Sequence, residues 1–131
     1  MTKTAFMNTI SYELNVMEDR SWMYVRVYDP VTRVLALDLL KDAVEQAKKH
    51  GAYNFLIDAR GVPSMKSTIE DYDIVNYRLP ELGFERRSKG AVIVDPDDRS
   101  HDFFETCTIN AGYNWRIFTD ADLASQWLSA V

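Results

Sequence analysis

Hydrophobic and polar residues alternate along residues 10–16, where Ile10, Tyr12, Leu14 and Val16 are separated by polar side chains. This period of two predicts a half-buried β-strand. The stretch 22–28 is rich in aromatic and β-branched residues and predicts a second strand. Polar residues 18–21 fit a turn between them, so the two strands are expected to pair as an antiparallel hairpin.

The next segment changes to a helical period. Apolar residues recur at intervals of three and four over twelve positions, and charged residues occupy the positions between them. The basic residues 48–50 suit the negative end of a helix dipole, and Gly51 can adopt the left-handed conformation that ends a helix. The predicted buried stripe of this helix consists of Ala36, Leu39, Leu40, Ala43, Val44 and Ala47.

Short apolar runs at 53–57, 90–94 and 113–118 predict three more strands, each followed by residues with helical spacing. The continuous apolar run 90–94 is typical of a parallel strand that is covered on both faces. A hairpin followed by repeated crossover units predicts an α/β fold. It would have a single five-stranded mixed, mostly parallel sheet with an N-terminal β-hairpin and four helices.

The sequence also predicts three details of the later helices. Pro80 is expected to end the helix that begins near residue 67 at about Leu79. The helix at 100–111 is expected to turn Phe103 toward the core, and the final helix is expected to bury Leu123.

Composition and charge narrow the class of protein. The 131 residues suit one domain with a core at about 10–129, and the net charge of −5 argues against nucleic-acid binding, which needs a basic surface. Cys107 has no second cysteine to pair with, which suits a reducing cytoplasm. Neither a signal peptide nor an apolar window of ~18 residues occurs, so we expect a cytoplasmic protein without membrane insertion.

The loop 58–68 is the strongest candidate for a functional site, because ligands gather where strands of an α/β sheet reach their carboxyl ends. Arg60 and the backbone of Gly61 are the first candidates for holding a phosphate or carboxylate. Asp58 stands next to them. The alternative to binding an external anion is a local ion pair between Asp58 and Arg60. Loop 58–68 is therefore predicted to bind a ligand or partner.

Ser67 and Glu70 have the spacing of a capping box, in which each side chain bonds the other residue's backbone N–H. A phosphate at this helix start would also be favoured by the dipole, whereas the structural alternative is a plain cap. Further along, Tyr72 could line an apolar groove between helix 68–79 and the sheet that holds a small hydrophobic ligand. Core packing or a homodimer patch is the alternative for these aromatic residues.

Catalytic and metal-binding patterns are weak. A rim of carboxylates could hold a divalent ion loosely, but carboxylates also commonly cap helices and turns. Ser100, His101 and Asp102 are adjacent, and neighbours at a helix start point about 100° apart, which is wrong for a catalytic triad. We therefore predict no catalytic residues, no metal ligands and no cofactor. The carboxylates of the rim are Asp95, Asp97, Asp98 and Asp120.

Three segments together resemble the SpoIIAA-like branch of the STAS superfamily (sulfate transporter and anti-sigma factor antagonist domains). They are a strand ending in FLIDARGVPS, the strand KGAVIVDPDD followed by Phe103-Phe104, and the close GYNWRIFTDADLASQWL. In regulatory members a serine after the equivalent strand is phosphorylated by a partner kinase, which switches binding. Their Asp-Ser-Ser-Gly motif is absent here, so the resemblance leaves Ser64, Ser67 and Thr68 as candidate phospho-acceptors.

The resemblance implies two alternative functions. The first is a non-enzymatic regulatory or binding module that presents loop 58–68 and the following helix to a protein partner. The second is a small carrier that binds an apolar or acidic small molecule in the groove beside Tyr72, since some members look like carriers of lipidic ligands. An enzyme would instead need convergent polar groups in one pocket.

Overall fold

The computed structural model describes residues 3–8, 11–17, 19 and 21–130, and of residues 3–8 it describes the backbone. Ile10, where the first predicted strand begins, and two residues of the predicted hairpin turn (Glu18 and Arg20) lie outside the described residues. The strands are β1 (Lys3–Asn8), β2 (Tyr12–Met17), β3 (Trp22–Val27), β4 (Asn54–Asp58), β5 (Lys89–Ile93) and β6 (Asn114–Phe118). The helices are α1 (Arg33–His50), α2 (Thr68–Asp73), α3 (Leu79–Leu82), α4 (Asp102–Asn110) and α5 (Ala121–Ser129), with a π-helical turn (Ile74–Arg78) joining α2 to α3.

The described strands form a single six-stranded sheet whose spatial order is the chain order. β1, β2 and β3 pair antiparallel, and β3 to β6 pair parallel. This confirms the α/β class, the N-terminal hairpin and the mixed sheet, and it adds β1 to the five predicted strands. With the continuous helical run 68–82 counted once, the four predicted helices are all present.

The larger core lies between one face of the sheet and α1, the helical run 68–82 and α4. The predicted stripe of α1 is fully buried there, and Thr32 and Gly51 cap that helix at its two ends. The strands contribute alternate residues to this core, as a period of two requires. Its sheet residues include Leu14, Val16, Met23, Val25, Val27, Phe55, Ile57, Val92 and Trp115.

A smaller core covers the opposite face, where α5 packs on β4 and β5. Its buried members are Trp22, Leu56, Ala91, Ile93, Ala124 and Leu128. β4 and β5 therefore supply residues to both cores, which explains why they are continuously apolar in sequence. Gly90 is needed because a Cβ atom there would come within 2.4 Å of the Trp115 ring.

The helix after β4 does not end at Leu79, contrary to the prediction from Pro80. The helical run continues to Leu82, because a π-helical turn just before Pro80 accommodates the proline in the helix. Leu79 N–H donates to Ile74 O, five residues back, and Pro80 then lies in the first turn of α3, where a missing N–H is tolerated. Gly83, with φ of 92°, ends the run.

The predicted burial of Phe103 and Leu123 is wrong. Phe103 is 41% exposed and Leu123 is 55% exposed. In α4 the inward side begins one residue later, at Phe104, and continues through Cys107. In α5 the inward side is set by Ala124, so Leu123 turns outward.

The outer edge of β6 is protected by a side chain of α4. Ile117 N–H, which points away from β5, donates to Glu105 Oε2 at 2.6 Å. An edge strand with unpaired amides can recruit other strands, and this bond removes one such donor. Within the described ranges, every helix is too short or too polar to cross a membrane.

Candidate functional site

The loop that leaves the carboxyl end of β4 is tied to the segment following β3. Val31 N–H donates to Pro63 O, and Met65 N–H donates to Val31 O, each at 2.8 Å. The pairing of Val31 with Ser64 has the geometry of a short parallel bridge. Loop 58–68 is therefore held by backbone bonds rather than by its side chains alone.

Asp58 is buried at the end of β4 and is surrounded by donors. Its Oδ1 accepts from Arg60 Nε (2.9 Å) and the Arg60 backbone N–H (3.1 Å), and it lies 2.8 Å from Arg26 Nη1. Arg60 Nη2 reaches Oδ2 at 2.7 Å. Burial by itself would raise the pKa of Asp58, but the Arg60 hydrogen bonds and the charges of Arg26 and Arg60 outweigh it and lower that pKa below 3.8.

The groups predicted to hold an external anion are engaged by carboxylates of the chain itself. The Arg60 guanidinium forms its bidentate pair with Asp58, and Gly61 N–H donates to Asp95 Oδ2 at 2.7 Å. The local ion pair, offered above as the structural alternative, is therefore present. It fixes the first turn of the loop.

Carboxylates of the acidic rim likewise accept hydrogen bonds from groups of the chain itself. Asp98 Oδ1 accepts from the backbone and hydroxyl of Ser100, and Asp120 caps α5 by accepting from two backbone N–H groups. Among the described residues, no group of three or more His, Cys, Asp or Glu side chains is placed to hold a metal ion. The rim carboxylates with these partners act as turn and helix caps.

The three candidate phospho-acceptors differ in their surroundings. Ser67 is the N-cap of α2, and its capping box with Glu70 is complete: Ser67 Oγ accepts at 3.1 Å and Glu70 Oε1 accepts at 2.9 Å. Thr68 is the first residue of α2 and is exposed. Ser64 is half-buried, and its Oγ accepts from the Lys66 backbone at 3.3 Å and from Lys66 Nζ at 3.0 Å.

A buried ion pair joins this loop to α2. Lys66 Nζ lies 2.8 Å from Asp71 Oδ1, and both side chains are 3% exposed. The contact is an ion pair, and this oxygen has no hydrogen-bond donor among the described residues. The ammonium also lies 5.0 Å from the centre of the Phe104 ring. Burial raises the pKa of the neighbouring Cys107 thiol, and the Asp71 charge raises it further.

Sequence reasoning missed this pair. Lysine and aspartate are rarely buried unless they are paired, so each taken alone is read as a surface residue. A spacing of five residues across a loop–helix junction gives no periodic signal. The only available clue is that Lys66 directly precedes the Ser67 cap, which brings it back over the first turn of α2.

An apolar cavity of about 60 Å³ lies in the larger core near the carboxyl ends of the parallel strands. Its wall includes His101, which is buried and whose Nε2–H donates to Val62 O at 3.0 Å. Tyr72, predicted to line a groove here, is not part of the wall. The lining consists of Val27, Val31, Ala36, Leu39, Leu40, Ile57, Ala59, Lys66, Val92, His101, Phe104, Trp115 and Ile117.

Tyr72 instead belongs to a set of exposed apolar side chains, which we call the apolar stripe: Met65, Ile69, Tyr72 and Tyr77. Ile69 is 80% exposed and Tyr72 is 54% exposed. The Tyr72 and Tyr77 rings meet edge to face with centres 6.5 Å apart. The stripe thus runs from the loop along α2 into the π-helical turn.

Comparison of the chain with protein-family models, with curated proteins and with solved structures finds no match in any of the three. The likeness to the SpoIIAA-like branch therefore stays a prediction.

Proposed function

We propose that this protein is a non-enzymatic binding module of the STAS type, and that it presents loop 58–68 and α2 to a protein partner. The observation that carries the proposal is the apolar stripe. Single exposed apolar residues are ordinary on a protein surface, but neighbouring ones on one element are typical of interaction sites. Here four of them follow one another along the segment that leaves the central strand.

The stripe is not needed for the core of the protein. The helical run 68–82 fills the larger core with Ile74, Val75 and Leu79, all of them buried. Ile69 and Tyr72 therefore give the same run a second apolar face. A helix that is apolar on two sides is expected to be covered on both, and a partner protein would cover the outer one.

The loop is also suited to binding without rearrangement. Its backbone bonds to Val31 and the buried Lys66–Asp71 pair hold it against the sheet and α2. A surface that is already ordered loses less conformational entropy on binding. This favours a binding role over that of a mobile lid.

The polar groups near the loop support a non-enzymatic role. Lys66 Nζ donates to Ser64 Oγ, which is the reverse of the bond needed by a base that would take the serine proton. Asp58 is saturated by two arginines. Neither group is arranged as a nucleophile with its base.

Phosphorylation near the stripe would regulate this binding. Ser67 and Thr68 are exposed and directly precede Ile69, so a phosphate there would place about two negative charges beside the stripe. A partner that packs on apolar side chains would then bind more weakly, because the phosphate must be desolvated or kept outside the interface.

We place this module in the cytoplasm, and a second copy of the chain is one protein that could cover the stripe.

The alternative role as a carrier has weaker support. Cavities that hold benzene are about 150 Å³, whereas this cavity is about 60 Å³. Tyr72, predicted to line the carrier groove, is 54% exposed and does not line the cavity. A lipidic ligand would need the core to open.

Affinity capture with matched variants tests the proposal. Bait proteins would be the wild type, an Ile69→Asp/Tyr72→Ser variant, and a Leu123→Asp control on α5, each compared by quantitative mass spectrometry after capture from the host cell. We expect a defined protein that is retained by the wild type and the control but lost from the double variant. Equal recovery with all three baits would contradict the proposal, and sedimentation of the purified chain would reveal whether the partner is a second copy.

A further inference from the structure

Met65, at the start of the apolar stripe, is the most exposed of the methionines whose side chains the structure describes. It is 63% exposed, whereas Met23 is 0% exposed in the larger core and Met17 packs on the smaller core. An oxidant dissolved in water therefore reaches the Met65 side chain more readily than either of the others.

The backbone on both sides of Met65 keeps its side chain at the surface. Met65 N–H donates to Val31 O and Ser64 N–H donates to Ser100 Oγ, each at 2.8 Å. On the other side, the Lys66 side chain is buried in its ion pair with α2. Turning Met65 inward would break these contacts, so its exposure belongs to the ordered loop.

We propose that Met65 is a reversible oxidation site that regulates binding at the apolar stripe, with hydrogen peroxide as the oxidant. The thioether sulfur attacks one peroxide oxygen, so that an S–O bond forms while the O–O bond breaks. The other oxygen takes up the remaining proton and leaves as water. The sulfur is oxidised by two electrons and the peroxide is reduced by two. This inference rests on the partner-binding function proposed above.

Oxidation would change the chemistry of the stripe at one end. Methionine sulfoxide is polar where the thioether is apolar, and reductases convert it back. A partner packed on Met65 would bury the sulfoxide oxygen without a matched hydrogen-bond donor, which weakens binding by about tenfold or more. The effect has the same direction as that of a phosphate at Ser67 or Thr68, so both modifications release the partner.

The thiol of Cys107 is the other sulfur that peroxide could oxidise, and its surroundings make it less reactive. Cys107 is buried, and burial together with the Asp71 charge raises the pKa of its thiol. The thiolate is the reactive form, so little of it is present near neutral pH. Brief treatment with peroxide is therefore expected to modify Met65 and leave the cores intact.

Peptide mapping after brief peroxide treatment of the intact protein is the first measurement. Met65 should gain ~16 Da at least about tenfold faster than Met23, and the Tm of the protein should stay unchanged. Oxidation of Met23 at the same rate as Met65 would overturn the proposal.

Affinity capture from the host cell, with each bait compared with itself before and after peroxide, is the second measurement. Wild-type bait should lose its stripe-dependent protein by about tenfold and regain it after treatment with methionine sulfoxide reductase and dithiothreitol. Recovery by Met65→Leu bait, whatever its starting level, should not change with peroxide, because leucine has no sulfur.

Two outcomes of the capture overturn the oxidation site alone. They are full recovery by oxidised wild-type bait, and an equal loss from oxidised Met65→Leu bait. If the untreated wild type retains no protein that the Ile69→Asp/Tyr72→Ser bait lacks, the partner-binding function fails and the oxidation site fails with it. The two failures are therefore distinguishable.

Discussion

Replacing Lys66 by methionine isolates the buried ion pair that joins loop 58–68 to α2. Methionine keeps most of the length of the side chain and can still pack on Phe104 through its sulfur. The carboxylate of Asp71, however, would remain 3% exposed and lose the ammonium 2.8 Å away. The variant therefore tests what an uncompensated buried charge does to this fold.

The expected loss is about 3–5 kcal/mol, the range measured when one partner of a buried pair is removed. That loss includes about 1 kcal/mol for the hydrogen bond from Lys66 to Ser64 Oγ, which the variant also removes. Native domains are stable by roughly 5–15 kcal/mol, so Lys66→Met is expected to remove about a fifth or more of the stability. The corresponding fall in Tm is roughly 10–20 °C for a domain of this size.

Urea unfolding at neutral pH, followed by tryptophan fluorescence and circular dichroism, measures this loss. A Lys66→Met/Asp71→Leu double variant should regain most of it, because an apolar pair removes the stranded charge. Lys41→Met, at an exposed position of α1, is the control and should change stability by less than about 0.5 kcal/mol. The reasoning fails if Lys66→Met loses under about 1 kcal/mol, or if the double variant is no more stable than the single one.

Three further changes test other parts of the structure. The pKa of Asp58 is lowered in the folded state, so its pairing stabilises the protein above about pH 4 and is lost as the pH falls further. In urea unfolding, the loss of stability of Asp58→Asn relative to the wild type should therefore be largest near neutral pH and should shrink in acid. A loss that is the same at every pH would contradict the role of the Asp58 charge. Ser67→Ala should lose about 1 kcal/mol in the same assay and Thr68→Ala close to none, whereas equal losses would refute the capping assignment. Gly90→Ala should lose about 1–3 kcal/mol in thermal unfolding, because its Cβ would collide with Trp115; an unchanged Tm would contradict that contact.

Much of the fold could be predicted because it depends on local periodicity. The alternation in β2 and the helical spacing in α1 place the same residues in the core that the structure buries. The continuous apolar run of β5 indicates a strand covered on both faces, and the two cores cover it. The capping box at Ser67 is also a local pattern, and it is present as predicted.

The wrong predictions arise from the rotational phase of two helices and from structural features that depend on neighbouring elements. Phe103 and Leu123 are exposed because a shift of one residue, about 100° on a helix, moves a side chain from the core to solvent. Pro80 does not end its helix, because a π-helical turn accommodates it, and propensity rules contain no signal for that turn. β1 has no clear alternation, and its pairing depends on β2 being in place.

The place of loop 58–68 in the fold was predicted, but most of its side-chain contacts were not. The loop after β4 and the ion pair of Asp58 with Arg60 lie where expected, since residues two apart readily meet at a strand end. The Lys66–Asp71 pair and the apolar stripe depend on tertiary packing. No spacing in the sequence indicates whether Tyr72 faces the sheet or the solvent.

Site-specific photo-crosslinking in the host cell tests the central claim most directly. A photoreactive phenylalanine would replace Tyr72 in the apolar stripe, and a matched control would replace Leu123 on α5, since the two residues are 54% and 55% exposed. We predict a discrete protein adduct from position 72 that is absent at position 123. No adduct at position 72, or the same adducts from both positions, would contradict a partner-binding surface on loop 58–68 and α2.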